Sequence, residues 1–223
     1  MAATTTRTLV LGVVRLFAPA NGYQLRRELL SWNVDSWANV NPGSIYSMLA
    51  TLSKQGMIEA HAVPDGARAV TVYTMTEPGG LELDRLIRDG LSTVSAMDPS
   101  AFRVALSFAP LVSRADFLEL LTGRLDAVRR GAGGLKAEAA TILDVRSAPP
   151  HVGYSLDLEA RMLQTEAEWI VDLLEVVRGG GLDFAGEPET WMAPTDDAGW
   201  EMVRESARYR EQLERMDSSP RKA

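Results

Sequence analysis

Apolar residues recur at helical spacing between Asn41 and Glu59, and this stretch organises the sequence around it. Its apolar side chains fall at i, i+3, i+4 and i+7 and so form one stripe of a helix. They are Ile45, Met48, Leu49 and Leu52. Asn41 can cap this helix, Pro42 suits its first turn, and Gln55-Gly56 can end it. The opposite face is small and polar, with Lys54 as its cation, so it suits contact with a polyanion or with plain solvent.

The segments around this helix alternate between helical and strand patterns. Helices are predicted over residues 7–17 and 22–30, a loop or loose helical turn over 31–40, strands over 57–63 and 68–75 with a turn at 64–67, and a helix over 81–91. Asp65-Gly66 is a strong hairpin signal between the two strands. This order is typical of a winged helix-turn-helix, in which the third helix reads DNA and the hairpin tip contacts the flanking backbone.

Beyond Asp98-Pro99-Ser100 the pattern is helical, and it predicts a second region. Helices are expected over 117–130, 135–145, 154–177 and 196–216, with a connector over 182–195 and a frayed tail from 218 to 223. Gly131, Gly133 and Gly134 are expected to kink or interrupt the first long helix. Between 154 and 177 apolar residues repeat every seven positions, which indicates helix–helix pairing and a dimerisation seam. That seam comprises Leu156, Leu163, Ile170, Leu174 and Val177.

These patterns predict a mainly α fold with a small β-hairpin. We expect a winged helix-turn-helix DNA-binding domain over residues 1–96 and a helical dimerisation and effector domain over 97–181. Residues 182–223 are expected to form a C-terminal connector, a helix and a frayed tail. The 223-residue length accommodates this arrangement with ample core.

The distribution of charge divides the chain in the same way. The net charge is -7, yet residues 1–90 hold eight Lys or Arg and eight Asp or Glu, and residues 91–223 hold fifteen against twenty-two. Because residues 1–90 are neutral overall, the acidity of the whole chain does not argue against nucleic-acid binding by this region. Neutrality does not amount to a basic patch, however. The chain has no cysteine, which excludes disulfides and thiolate chemistry and makes the reducing cytoplasm the expected compartment.

No catalytic constellation is apparent, so an enzyme is not expected. His61 and His151 are the only histidines, and each is isolated in sequence. The glycine-rich runs lack the Lys-Ser/Thr that a phosphate-binding loop needs. Glu166, Glu168 and their acidic neighbours are predicted to form a solvated helix face. Neither a cofactor nor a metal is predicted.

Three motifs, in order and at matching spacings, resemble the PadR family of bacterial transcriptional regulators. They are Gly22-Tyr23-Gln24-Leu25, the run from Gly43-Ser44-Ile45-Tyr46 through Leu49, Leu52 and Gly56 to Glu59, and Tyr73-Thr74-Met75-Thr76-Glu77-Pro78-Gly79. Residues 100–178 are similar to the helical C-terminal region of the longer, virulence-activator-like members, most clearly at Glu166-Ala167-Glu168-Trp169. Residues 183–223 match nothing in the family pattern.

The resemblance implies a cytoplasmic homodimer that binds a palindromic double-stranded DNA operator, represses a neighbouring gene and is released by a small aromatic or cationic effector. The DNA-binding residues expected on this basis are Tyr23, Gln24, Arg26, Ser44, Tyr46, Ser47, Thr51, Lys54 and Arg68. Trp169 is the candidate for stacking on the effector. Tyr23 and Tyr46 also fit half-buried core positions, and a tryptophan at helical spacing also fits a core.

The weak positive charge of the predicted wing leaves the function open between two classes. The family's wing often carries Arg or Lys pairs before the tyrosine, whereas here Arg68 stands alone, so binding is expected to depend on dimerisation and on Arg7, Arg26 and Arg27. The alternative is a winged-helix protein–protein interaction module that does not bind DNA, with the acidic C-terminal half docking a partner.

Overall fold

The computed structural model describes residues 2–66, 68–197 and 199–218 and divides into two compact units. The first comprises Met1–Leu86 with Trp191–Ala223, and the second comprises Ile87–Thr190. The last helix therefore joins the N-terminal region in one unit, whereas the sequence suggested a separate C-terminal segment. Ala67 of the predicted turn and residues 219–223 of the predicted tail lie outside the described residues.

The secondary structure follows the order expected for the fold. The elements are α1 (Ala2–Phe17), β1 (Ala20–Asn21), α2 (Gly22–Ser31), α3 (Val34–Trp37), α4 (Pro42–Lys54), β2 (Ile58–Asp65), β3 (Arg68–Met75), α5 (Glu77–Ser92), α6 (Ser100–Ser107), a 3-10 turn (Ala109–Leu111), α7 (Arg114–Val145), α8 (Pro150–Arg178) and α9 (Gly199–Ser218). The predicted fold class, mainly α with a winged helix at the N-terminus, is confirmed. None of the helices, as far as the chain is described, is long and apolar enough to cross a membrane.

Helix α4 begins and ends where its residues predict. The Asn41 side chain accepts a hydrogen bond from the Ser44 backbone N–H at 2.9 Å, and Pro42 occupies the first turn. Gly56 follows the helix at φ 70°, a left-handed conformation that glycine adopts without strain. Ile45, Leu49 and Leu52 are buried. The apolar stripe thus fixes α4 in the core of the first unit and turns its small polar face to solvent.

The wing is a three-stranded antiparallel sheet in the order β1-β3-β2. β3 has the predicted limits, and Asp65 lies opposite Arg68 at the tip of the hairpin. The short strand β1, which was not predicted, pairs Ala20 with Tyr73. A two-residue strand has no periodicity to detect, so its pairing depends on the sheet that forms later in the chain.

The third family-like motif closes the wing against α5. The Thr76 hydroxyl donates to the Met57 carbonyl at 2.8 Å and accepts from the Gly79 N–H at 3.1 Å. A side-chain carbon at Gly79 would lie 1.9 Å from the Met57 carbonyl oxygen, so only glycine fits there. The Thr-x-x-Gly spacing therefore joins the start of β2 to the start of α5.

Helices α7 and α8 form the helical hairpin of the second unit. The interruption expected at Gly131, Gly133 and Gly134 is wrong, because α7 is continuous from Arg114 to Val145. A side-chain carbon at Gly131 would lie 3.2 Å from Leu163 of α8. Close approach of the two helices explains a glycine at this position without a break in the helix.

A buried arginine stands at the centre of the second unit. Arg124 is 1% exposed, and its Nε donates to Glu166 at 2.6 Å. Its Nη1 donates to the Thr93 carbonyl at 2.6 Å, and its guanidinium carbon lies 3.8 Å from the centre of the Phe102 ring. Glu166 therefore neutralises a buried cation, and the prediction that it belongs to a solvated acidic face is wrong for this residue.

Candidate nucleic-acid interface

The exposed face of α4 carries a row of hydroxyl groups that bond to their own helix. Ser44 donates to the Asn41 carbonyl at 2.7 Å, Ser47 to the Gly43 carbonyl at 3.0 Å, and Thr51 to the Ser47 carbonyl at 2.8 Å. Each hydroxyl proton is thus engaged, while an oxygen lone pair remains available. Ser47 and Thr51 are exposed and are therefore arranged to accept hydrogen bonds, such as those from base amino groups. Donation to a phosphate would require the internal bond to break.

Lys54 and Tyr46 frame this row. Lys54 is exposed in the last turn of α4. Tyr46 is partly exposed, and its ring packs over Gly22, where a side-chain carbon would lie 3.1 Å from the ring. Burial, with a smaller contribution from the neighbouring Tyr46, raises the pKa of Tyr73. Tyr46 is therefore both a packing residue between α2 and α4 and an accessible surface group.

Tyr23 and Arg26 lie on the first two turns of α2. Tyr23 is one of the more exposed aromatic side chains, and the Arg26 guanidinium lies 6.0 Å from the centre of its ring. The Arg26 Nε is buried without a hydrogen-bond partner. These positions keep both residues as candidates for contact with DNA.

Gln24 does not belong to this surface. It is 2% exposed, its Oε1 accepts from the Asn21 N–H at 2.7 Å, and its Nε2 donates to Glu205 of α9. With the Asn21 side chain accepting from the Gln24 N–H, these bonds form a capping box at the start of α2. The second position after glycine in the first motif therefore has a structural role, and the expectation that it contacts DNA is corrected.

Two of the three arginines expected to strengthen binding are held by other side chains. Arg7 donates to Glu82 at 3.0 Å and to Gln55 at 2.7 Å. Arg27 donates to Glu201 of α9 at 3.2 Å. The sequence could not reveal this because Glu82 and Glu201 lie far along the chain from their partners.

The wing tip carries Arg68, which is exposed at the start of β3. Its cross-strand neighbour Asp65 receives a hydrogen bond from Arg208 of α9 at 2.9 Å. Arg208 was not among the residues singled out in the sequence. Its position beside the wing follows from packing between segments 143 residues apart in the chain.

The predicted dimerisation seam is in the interior of the second unit. Leu163, Ile170, Leu174 and Val177 are buried, and Leu156 is half-buried. These side chains follow the side of α8 that packs against α7 of the same chain, so the assignment of this seam to a partner subunit is corrected. A different side of α8 exposes large apolar residues. They are Tyr154, Leu158, Met162, Trp169 and Val176.

Trp169 lies within this exposed stripe. Its ring meets the Phe102 ring edge-on, with the ring centres 5.9 Å apart, and the side chain is 41% exposed. One edge of the indole is thus packed and the remainder is accessible. Its suggested role in binding an effector remains a prediction.

Neither histidine is placed in a metal site. The His61 Nε2 lies 2.8 Å from the Thr74 hydroxyl across the wing. Across the part of the chain that the structure describes, no three potential metal-binding side chains of His, Cys, Asp or Glu come together.

Comparison with known proteins finds a family match within the first unit. Residues 10–85 match the model of the transcriptional regulator PadR-like family, which confirms the resemblance seen in the three motifs. The matched residues run from α1 into α5 and therefore exclude α9. No curated protein gives a significant match to the chain.

One solved structure among those that match is the crystal structure of Bacillus subtilis PadR in complex with operator DNA. It is 21% identical, with a TM-score of 0.33, and the match covers 76% of this chain and 98% of that chain.

Proposed function

Because residues 10–85 match the model of the transcriptional regulator PadR-like family, we propose that this protein is a DNA-binding transcriptional regulator. The observation that carries the proposal is the exposed side of α4. Its apolar stripe is buried, its front bears hydroxyls and one lysine, and Asn41 and Gly56 fix its ends. A helix of this kind beside a wing suits insertion into the major groove.

The side chains divide into two roles in the proposed complex. Ser47 and Thr51 accept hydrogen bonds from base edges, because their protons are held by the helix. Lys54, Arg26 and Arg68 contact phosphates and position the protein without selecting sequence. The Tyr23, Tyr46 and Ser44 hydroxyls add backbone contacts beside them.

We further propose that the protein acts as a homodimer on a palindromic operator. Each copy offers Lys54, Arg26 and Arg68 as the proposed phosphate-contacting cations, so tight binding requires two copies to add their contacts. The exposed apolar stripe of α8 supports this assembly, because Tyr154 to Val176 spans roughly 33 Å at the helical rise of 1.5 Å per residue. Large apolar side chains along such a length favour a partner surface over water. The two α4 helices are then expected about 34 Å apart, one turn of DNA.

Repression of a neighbouring gene in the cytoplasm, with release by a planar aromatic or cationic effector, completes the proposal. The exposed part of the Trp169 indole supports it, since an indole face attracts both classes of ligand. Titration of candidate effectors should quench tryptophan fluorescence and weaken DNA binding together. A Trp169→Leu variant keeps an apolar side chain in the α8 stripe, so it should retain dimerisation and DNA binding but lose the response to the effector.

The proposed DNA interface is tested by a double charge reversal on α4. Ser47→Glu with Lys54→Glu places two carboxylates on the proposed groove-facing side. We expect DNA binding to be abolished with no change in the melting temperature beyond a few degrees, because both side chains are exposed. The matched control is Thr141→Glu with Lys136→Glu on the exposed side of α7, which makes the same change of charge in the second unit. Equal DNA binding by the two double variants would refute the proposal and favour the protein–protein module.

A further inference from the structure

Helix α9 packs on the outer face of the wing, outside the residues that match the family model. Tyr209 is 1% exposed and lies in one cluster with Val63 of β2 and Val72 of β3. Val70 and Leu213 pack against this cluster. Since Val63 and Val72 are otherwise the apolar face of a small hairpin, α9 completes the core of the wing.

Polar contacts extend this packing to the wing tip. Arg208 donates to the Asp65 carboxylate at 2.9 Å, and Gln212 donates to the Pro64 carbonyl at 3.0 Å. Both acceptors belong to the last two residues of β2, immediately before the hairpin turn. The tip is thereby fixed from the side, whereas an isolated hairpin is held only through its own strand pairing.

The same helix contacts the start of α2. Asn21, which caps α2, donates to the Tyr209 hydroxyl at 3.2 Å, and Gln24 donates to Glu205. Ser206 donates to the Phe17 carbonyl at 3.4 Å. One helix therefore joins the cap of α2 to the tip of the wing.

Besides fixing the wing tip, Arg208 changes the net charge of the tip. Without α9 the tip would carry the Asp65 carboxylate opposite Arg68, a neutral pair that a phosphate does not attract. Arg208 neutralises Asp65, and its side chain remains 49% exposed. With α9 in place, two guanidinium groups face solvent against a single carboxylate.

We propose that α9 is a fixed part of the DNA-binding surface, holding the wing in position and supplying Arg208 as a phosphate-contacting cation at its tip. The inference rests on the proposed DNA-binding function and extends it to residues outside the family match. Arg208 supplies the wing with the positive charge that the strand before Tyr73 lacks.

The test compares two arginines on α9 in the full-length protein. Arg208→Gln and Arg210→Gln remove the same charge, and the two positions point about 200° apart around the helix. The probe is a fluorescent duplex of the intergenic DNA upstream of the coding sequence, titrated at several salt concentrations. Arg208→Gln should weaken binding several-fold and reduce the slope of log K against log salt by about 1.8 for the dimer, since each protomer loses one phosphate contact and each contact contributes about 0.9. Arg210→Gln should behave as wild type, and equal curves for the two variants would overturn the proposal.

A second variant separates phosphate contact from mere neutralisation of Asp65. In Asp65→Asn with Arg208→Gln, the carboxylate and its partner are both replaced by amides. If Arg208 contacts phosphate, the reduced salt slope persists in this double variant. Full recovery of wild-type affinity and slope would show that Arg208 only masks Asp65, and would overturn its assignment as a contact.

DNA binding by the wild type distinguishes a failure of the role proposed for Arg208 from a failure of the proposed DNA-binding function. Salt-dependent binding by wild type, lost in the α4 double reversal but unchanged in Arg208→Gln, would reject the role of Arg208 alone. Absence of binding by wild type at low salt would reject both proposals. The melting temperatures of the single variants should stay near that of wild type, because a half-exposed ion pair contributes little to stability.

Discussion

Helices α4 and α8 show the same kind of amphipathic pattern, but the consequence of the pattern differs between them. The apolar stripe of α4 is covered by its own unit, and the opposite face is the candidate surface for DNA. The stripe of α8 that repeats every seven residues is likewise covered by its own chain, through α7, although its spacing suggested a second subunit. Periodicity predicts which face of a helix is buried and does not identify the element that covers it.

A charge placed in the covered stripe of α8 should destabilise the protein more than any other change considered for the two helices. Ile170→Asp buries a carboxylate in the α7–α8 packing, where Ile170 is fully inaccessible. We expect the second unit to lose about 4 kcal/mol or more of stability, because an unpaired buried charge is among the most damaging substitutions. Urea unfolding followed by circular dichroism measures this. A variant that unfolds like wild type but has become monomeric would restore the original assignment of the seam.

The matching change in the exposed stripe should leave the fold intact and affect assembly. Leu158→Asp alters a side chain that is 60% exposed, so the change in stability should be within about 0.5 kcal/mol. We expect the variant to be monomeric by light scattering and to bind DNA more weakly than wild type. Val145→Asp on α7 is the matched control, since it adds the same charge at another exposed apolar position. Retention of the dimer by Leu158→Asp would move the interface elsewhere.

A small effect on stability is expected from the ion pair between Arg7 of α1 and Glu82 of α5 in the first unit. A hydrogen bond from Arg85, followed by one from Arg7, lowers the pKa of Glu82. The carboxylate therefore adds stability above its unfolded pKa, and this contribution is lost as the pH falls through the folded pKa. Glu82→Gln should lower the melting temperature slightly at pH 7 and match wild type in acid below that folded pKa. A difference that persists unchanged in acid would contradict this origin of the stability.

Local signals in the sequence were sufficient for much of the first unit. The Asn41 cap, Pro42, Gly56 and the limits of β3 follow from residue preferences within a few positions. The family-like motifs also have local explanations, since Gly22 accommodates Tyr46 and Gly79 accommodates the backbone at Met57. These features could be predicted because their causes lie in neighbouring or adjoining elements.

Contacts between distant segments could not be predicted in the same way. Gln24 is buried by a cap and by α9, Arg124 is buried against Glu166 and Phe102, and α9 itself packs on the wing. The Asn21–Gln24 capping box is a local pattern, but the contacts with α9 and around Arg124 have no periodic pattern or motif, because each depends on which surfaces meet after the elements have formed. The sequence of α7 alone does not indicate whether an arginine such as Arg124 is exposed to water or buried in a core.

The most direct test of the account is the binding of wild-type protein to the DNA upstream of its own coding sequence, measured by anisotropy across a range of salt concentrations. The account predicts preference for this fragment over a scrambled duplex of equal length, with affinity falling steeply as salt rises. Footprinting should then protect two half-sites about one helical turn apart. Absence of sequence-preferring binding at low salt, in a protein that is folded, would contradict the assignment of α4 as a recognition helix.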